Sequence, residues 1–176
     1  MEPLPPQRKW RAITLATLLL APACWSILAG WVTIVSDDGG GVANPEAAVA
    51  FGLALIPFVF IVLAFGSEHP RAASAVFKAM WLSLLVGIPA SAIAGDAVTG
   101  IVAGVGAGGV CALRADDAHN WRARALAVVL ASVYTFVLAR TAGAIVLLAA
   151  PIFPLTAIGV ADHISEWKHQ RVATPT

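Results

Sequence analysis

Residues 76–113 read VFKAMWLSLLVGIPASAIAGDAVTGIVAGVGAGGVCAL, and the number of times this stretch crosses a membrane decides the fold. A helix spanning the hydrocarbon core uses roughly 20 apolar residues. At about 1.5 Å per residue, this run is nearly twice one span. It must therefore double back, and Gly95-Asp96 is the one place in it where a turn residue sits beside a charge. Residues 125–161 pose the same problem, and Arg140 followed by Thr141-Ala142-Gly143 is the corresponding turn. Residues 12–35 and 47–66 each supply one span directly. The expected fold is all-α, an integral membrane bundle of six transmembrane helices with short loops. The helices fall at about 12–35, 47–66, 76–95, 97–113, 123–139 and 142–161, and residues 1–176 form a single polytopic domain.

Composition supports this. Hydrophobic residues make up 59% of the chain and charged residues 12%, with a mean hydropathy of +0.83. An ordinary globular domain carries about twice that fraction of charge. The net charge of +1 has no basic face behind it, so nucleic acid is excluded as an expected partner. Cys24 and Cys111 both lie in apolar runs and read as small buried hydrophobes rather than a disulfide pair. Alanine richness and the preference for arginine over lysine point to a GC-rich bacterial genome.

The N-terminal segment RKWRAITLATLLLAPAC has the basic start and the Ala21-Pro22-Ala23 triplet of a secretory signal. Its apolar run nevertheless continues to Val35, longer than a signal core, so the expectation is a retained first helix. With the N-terminus in the cytoplasm, Arg8, Lys9, Arg11, Arg71, Lys78, Arg114, Arg122, Arg124, Lys168 and Arg171 all fall on the inner side. Of the 11 basic residues only Arg140 falls outside. This is the bias that orients plasma-membrane proteins, and it places both termini inside. Trp10, Trp121 and Trp167 near inner boundaries and Trp31 near an outer one fit interfacial anchoring.

Between Asp96 and Arg114 the sequence collects glycines at 100, 104, 106, 108 and 109. In lipid, helix association depends on close backbone approach, which small residues permit. Gly100, Gly104 and Gly108, extended by Ala112, make a stripe with one small residue per turn. It predicts a tight crossing inside the bundle, a homodimer or partner seam being the second reading and a flexible gating helix the third. Pro22, Pro57, Pro89, and Pro151 with Pro154 interrupt other helices and are expected to kink them. PASAIAGD from Pro89 echoes PLTAIGVAD from Pro154, which leaves open an inverted repeat of helices one to three on four to six.

Chemistry is sparse. No ionisable residue falls mid-span in the expected topology, which argues against proton-coupled transport and against intramembrane hydrolysis. Asp96 and Arg140, both in outer turns, could form an ion pair. Asp37, Asp38, Asn44 and Glu46 offer oxygen ligands without EF-hand spacing, and Asp116 with His119 is too small a set for zinc. No phosphate-binding, zinc-protease or serine-hydrolase motif occurs. The expectation is therefore no catalytic site, no metal and no cofactor. The favoured function is a structural or accessory subunit packing with a larger membrane or envelope assembly. The alternative is a small-solute transporter or channel along Ser83, Ser91, Thr99, Ser132, Tyr134 and Thr156.

Overall fold

The computed structural model describes residues 6–36, 41–114, 121–142, 150 and 152–173. These form six helices: α1 (Pro6–Val35), α2 (Pro45–Gly66), α3 (Ala72–Ala94), α4 (Ala97–Ala112), α5 (Trp121–Ala142) and α6 (Ile152–Ala173). The chain is all-α among the described residues. Three helices, α1 to α3, are long and apolar enough to cross a membrane, and they mark the chain as a multi-pass membrane protein. By length and composition, three of the six expected spans are met. Helix α4 has only 16 residues, the apolar part of α5 is confined between Arg124 and Arg140, and the second half of α6 carries Asp162, Glu166 and Lys168.

The helix ends follow local chemistry. Asn44 caps α2, its side chain accepting from the Ala47 N–H at 3.2 Å, with Pro45 in the first turn where a missing N–H costs nothing. Helix α3 stops at Gly95, whose φ of +70° is the left-handed conformation in which other residues are strained. Asp96 then caps α4, its carboxylate accepting from the Thr99 N–H at 2.7 Å. The reversal expected at Gly95-Asp96 is thus built from a left-handed glycine and an acidic cap.

The expected turn at Arg140-Thr141-Ala142 is not there. Helix α5 runs through all three residues, and the Thr141 hydroxyl donates back to the Val137 carbonyl at 3.0 Å. Residues 143–149 lie outside the described residues. The last helix is consequently shifted, beginning at Ile152 rather than 142 and continuing to Ala173 rather than 161. Its charged half stays helical because its charges find partners, as described below. The shift also relocates Pro154 to the first turn of α6, where proline is tolerated, whereas Pro22, Pro57 and Pro89 lie inside their helices. The sequence echo between Pro89 and Pro154 therefore falls on different parts of its two helices.

Helix α4 is the axis of the bundle. Helix α1 pairs mainly with α2, α3 with α4, and α5 with α6, and α4 alone packs against all five others. Its buried residues include Val98, Val102 and Val105 together with Gly100, Gly104, Gly106, Gly108 and Gly109, whereas Ala97, Ile101, Ala107, Val110 and Cys111 are only partly covered. A Cβ on Gly100 would stand 2.5 Å from Ser91 Cβ, and one on Gly104 would stand 2.5 Å from the Ser83 carbonyl oxygen, both on α3. Gly108 faces the Ala79 backbone and the Phe60 ring. Gly106 and Gly109 point the other way, toward Val128 of α5 and toward Pro154, Leu155 and Ile158 of α6. Around this axis Ile13, Leu20, Val59, Phe60, Leu63, Leu113, Leu155 and Ile158 form an apolar core. Helix α3 is peripheral, with Leu85 72% and Ile93 88% exposed, the arrangement expected of a lipid-facing helix.

Gly100→Val and Gly104→Val should each destabilise the detergent-solubilised protein by about 1–3 kcal/mol, the usual range for overpacking. Thermal unfolding would register this as a lowered midpoint, whereas Ala54→Val on the exposed face of α2 should leave the midpoint unchanged.

Candidate functional site

The most distinctive chemistry lies where the start of α1 meets α5 and α6. Lys9 of α1, Arg124 of α5 and Asp162 of α6 are all buried, and Arg124 is the largest side chain in the interior, 1% exposed. Asp162 divides its carboxylate between the two cations. Its Oδ2 accepts from Lys9 Nζ at 2.9 Å, and its Oδ1 pairs with the Arg124 guanidinium. Glu166, one turn further along α6, takes a second bond from Lys9 Nζ. An i, i+4 spacing puts both acids on one helix face, and Lys9 reaches both from across the interface. Two cations thus meet two carboxylates with no net charge, joining residues 153 positions apart.

Neighbouring contacts gather the same end of the bundle. Arg8 pairs with Glu68, both about half exposed. The buried Ser67 hydroxyl accepts from the Arg114 N–H at 3.0 Å, tying the α2–α3 connection to the end of α4. Glu68 adopts a φ of 51°, a conformation few non-glycine residues take, and the turn is closed by the His69 N–H bonding the Ala64 carbonyl at 2.8 Å. Partial burial holds the His69 ring below its ordinary pKa of 6.5, and Arg114 and Lys78 nearby add to the effect. Its Nδ1 also accepts from the Arg71 N–H at 3.1 Å, a bond that protonation there would remove.

A small cavity beside Lys9, Asp162 and Glu166, about 10 Å³, has room for about one water. The chemistry of the cluster is that of a clasp, in which each buried charge is balanced by another. Among the described residues no group of three or more His, Cys, Asp or Glu could hold a metal ion.

The residues singled out in the sequence are dispersed. Gly100, Gly104 and Gly108 lie against α3 and Phe60, with Ala112 fully buried on the same helix, so a partner using that stripe would have to displace α3. Asp96 is occupied as the cap of α4, and the Arg140 side chain lies outside the described residues, as do Asp37, Asp38, Asp116 and His119. Ser83 and Ser91 border a groove of about 400 Å³ among α1 to α4, whereas Tyr134 and Thr156 border another of about 510 Å³ between α5 and α6. The Ser132 hydroxyl turns back to the Val128 carbonyl at 2.9 Å, and Thr99 is buried. Among the described residues, then, Ser83 and Ser91 lie on one groove and Tyr134 and Thr156 on another.

The clasp itself escaped the sequence reading. Lys9 and Arg124 counted there only as inner-side charges, and Asp162 fell one residue beyond the expected end of the last helix. The signal was present in ADHISEW (residues 161–167), an i, i+4 acid pair directly after an apolar run. An acid pair so close to the apolar interior requires cations, and the sequence places several at matching depth.

Asp162→Ala should be the costliest polar substitution, about 3–5 kcal/mol, because it strips two buried cations of their shared carboxylate. Glu68→Gln, at an exposed pair, should cost about 1 kcal/mol or less. Equal losses in denaturation of the solubilised protein would contradict the assignment. In NMR titration of labelled histidines His69 should ionise below the ordinary value, and Arg114→Gln or Lys78→Gln should move it back up. Because the folded-state pKa is depressed, any His69 contribution is intact above pH 6.5 and declines as pH falls through the folded-state value. No protein-family model, curated protein or solved structure matches this chain.

Proposed function

We propose that this protein is a structural or accessory subunit of a larger bacterial membrane or envelope assembly, without catalytic activity. The observation that carries the reading is the closed interior. The core around α4 is apolar and tightly packed, and Ser83 and Ser91 border one outward groove while Tyr134 and Thr156 border another, so they do not lie along one path. A transporter needs a polar, water-accessible route that both sides can reach in turn. Nothing in the packing of α4 favours one, because glycines seated on backbone atoms of α3 leave no room for water.

The same proposal places the chain in the plasma membrane with six crossings and both termini in the cytoplasm. The contacts Arg8–Glu68, Ser67–Arg114 and Lys9–Asp162–Arg124 support it. They gather the start of α1, the α2–α3 connection, the end of α4 and the start of α5 at one end, as alternating crossings of α1 to α5 require, and the middle of α6 docks against the same end. The basic residues of that end then fall on the cytoplasmic side. In such a bundle α4 can be shorter than a free-standing span because its neighbours, not lipid, surround it.

Two measurements on the full chain test the reading together. In mild-detergent extracts of native membranes, native-gel migration should place the protein in an assembly well above its own 18.2 kDa, at fixed stoichiometry with a membrane partner. Proteoliposomes of the purified chain should show no solute-dependent swelling. A chain that runs alone in native extracts, or one that conducts solutes by itself, would overturn the proposal.

A further inference from the structure

A second feature sits at the clasp end, on the outer side of α1. A groove of about 940 Å³ is lined by Gln7, Trp10, Arg11, Thr14 and Leu15 of α1 and by His163 of α6. The charges around it divide sharply. Lys9 and Arg124 are balanced by Asp162 and Glu166, and Arg8 is engaged by Glu68. Arg11 is exposed and makes no ion pair among the described residues, and the side chains of Gln7 and His163 likewise make no hydrogen bond among them. Among the described residues the nearby carboxylates are turned inward to the clasp, so the groove presents one cation with no acidic partner there, flanked by two polar groups.

The lining changes character along the helix axis. From Gln7 to Leu15 the groove follows α1 for about 12 Å, passing from polar and cationic side chains through Thr14 to an exposed leucine. Helix α1 has 30 residues, about 45 Å, against a hydrocarbon core of about 30 Å. Its first turns therefore extend into the headgroup layer, the depth at which tryptophan and arginine are stable. The floor is fixed, because a Cβ on Gly159 of α6 would stand 2.9 Å from the Trp10 ring. The Thr14 hydroxyl is turned to the Trp10 carbonyl at 2.8 Å, leaving that part of the wall apolar.

We infer that this groove is a binding site for a phospholipid with an anionic headgroup. Arg11 takes the phosphodiester oxygens, Gln7 and His163 supply further hydrogen-bonding groups, and an acyl chain continues over Thr14 and Leu15. Guanidinium groups suit phosphate because their N–H donors form a fork that two oxygens can occupy. Basic pockets between membrane helices at the headgroup level hold anionic lipids in this way. The inference needs the chain to be in a membrane and is independent of the accessory-subunit reading.

Native mass spectrometry of the detergent-purified full chain, titrated with phosphatidylglycerol or phosphatidylcholine of identical acyl chains, tests it. Wild type should retain phosphatidylglycerol about fivefold better, the effect expected of one basic residue near a lipid surface. Arg11→Gln should abolish that preference, Arg11→Lys should keep part of it, and Arg122→Gln should leave it unchanged. Persistence of the preference in Arg11→Gln, or an equal loss in Arg122→Gln, would overturn the site. Displacement of the lipid by water-soluble glycerol phosphate would overturn the lipid assignment in favour of a free phosphate. A photoreactive phosphatidylglycerol, used on wild type and so independent of any variant's folding, should cross-link within residues 7–15 or at His163, and cross-links confined to other segments would contradict the proposal.

Discussion

The structure depends on one steric constraint: α4 must be thin enough for five other helices to reach it. Close approach on one side requires Gly100 and Gly104, where backbone atoms of α3 already occupy the space a side chain would need. On the other side Gly106 and Gly109 admit Val128, Pro154, Leu155 and Ile158. In water each glycine would weaken the helix by roughly 1 kcal/mol relative to alanine. In lipid the backbone has no alternative hydrogen-bond partner, so the helix persists and the small residues are free to serve packing. The valines between the glycines fill the remaining directions and complete the core.

The clasp at the end of the bundle solves a different problem. Helix α6 enters the bundle with a short apolar half and then becomes charged, which would ordinarily carry it away from an apolar core. Asp162 and Glu166 keep it docked because Lys9 and Arg124 meet them there, linking the first helix to the last. An ion pair of this kind contributes little over an apolar replacement, but removing one member leaves stranded charge. Its consequence is geometric: it fixes which way α6 faces and how deep it sits. By engaging both nearby acids it also leaves Arg11, two residues on from Lys9, exposed and without an ion pair among the described residues.

Much of this was legible in the residues, and the rest was hidden for identifiable reasons. The hairpin at Gly95-Asp96 could be read because a left-handed glycine and an acidic cap are local signals, needing no knowledge of neighbours. The glycine stripe could be seen, but the pattern of every fourth residue drew attention to one face. Gly106 and Gly109, on the opposite face, are what make α4 an axis rather than half of a hairpin. The end of α5 and the start of α6 were misplaced because Arg140 looks like a turn residue only if its charge is assumed to terminate a helix. Thr141, bonding back to Val137, shows the helix continuing. The clasp could not be read locally at all, since Lys9, Arg124 and Asp162 are ordinary boundary charges until packing brings them together.

The central position of α4 is open to direct measurement in the native membrane with an apolar carbene-generating reagent that labels whatever side chains meet lipid. Peptide mapping should find the label on α1, α2 and especially on Leu84, Leu85, Ile88 and Ile93 of α3, with Val98, Val102 and Val105 of α4 left bare. Labelling of α4 at the level of α3 would mean that the glycine helix faces lipid, and the arrangement described here would be wrong.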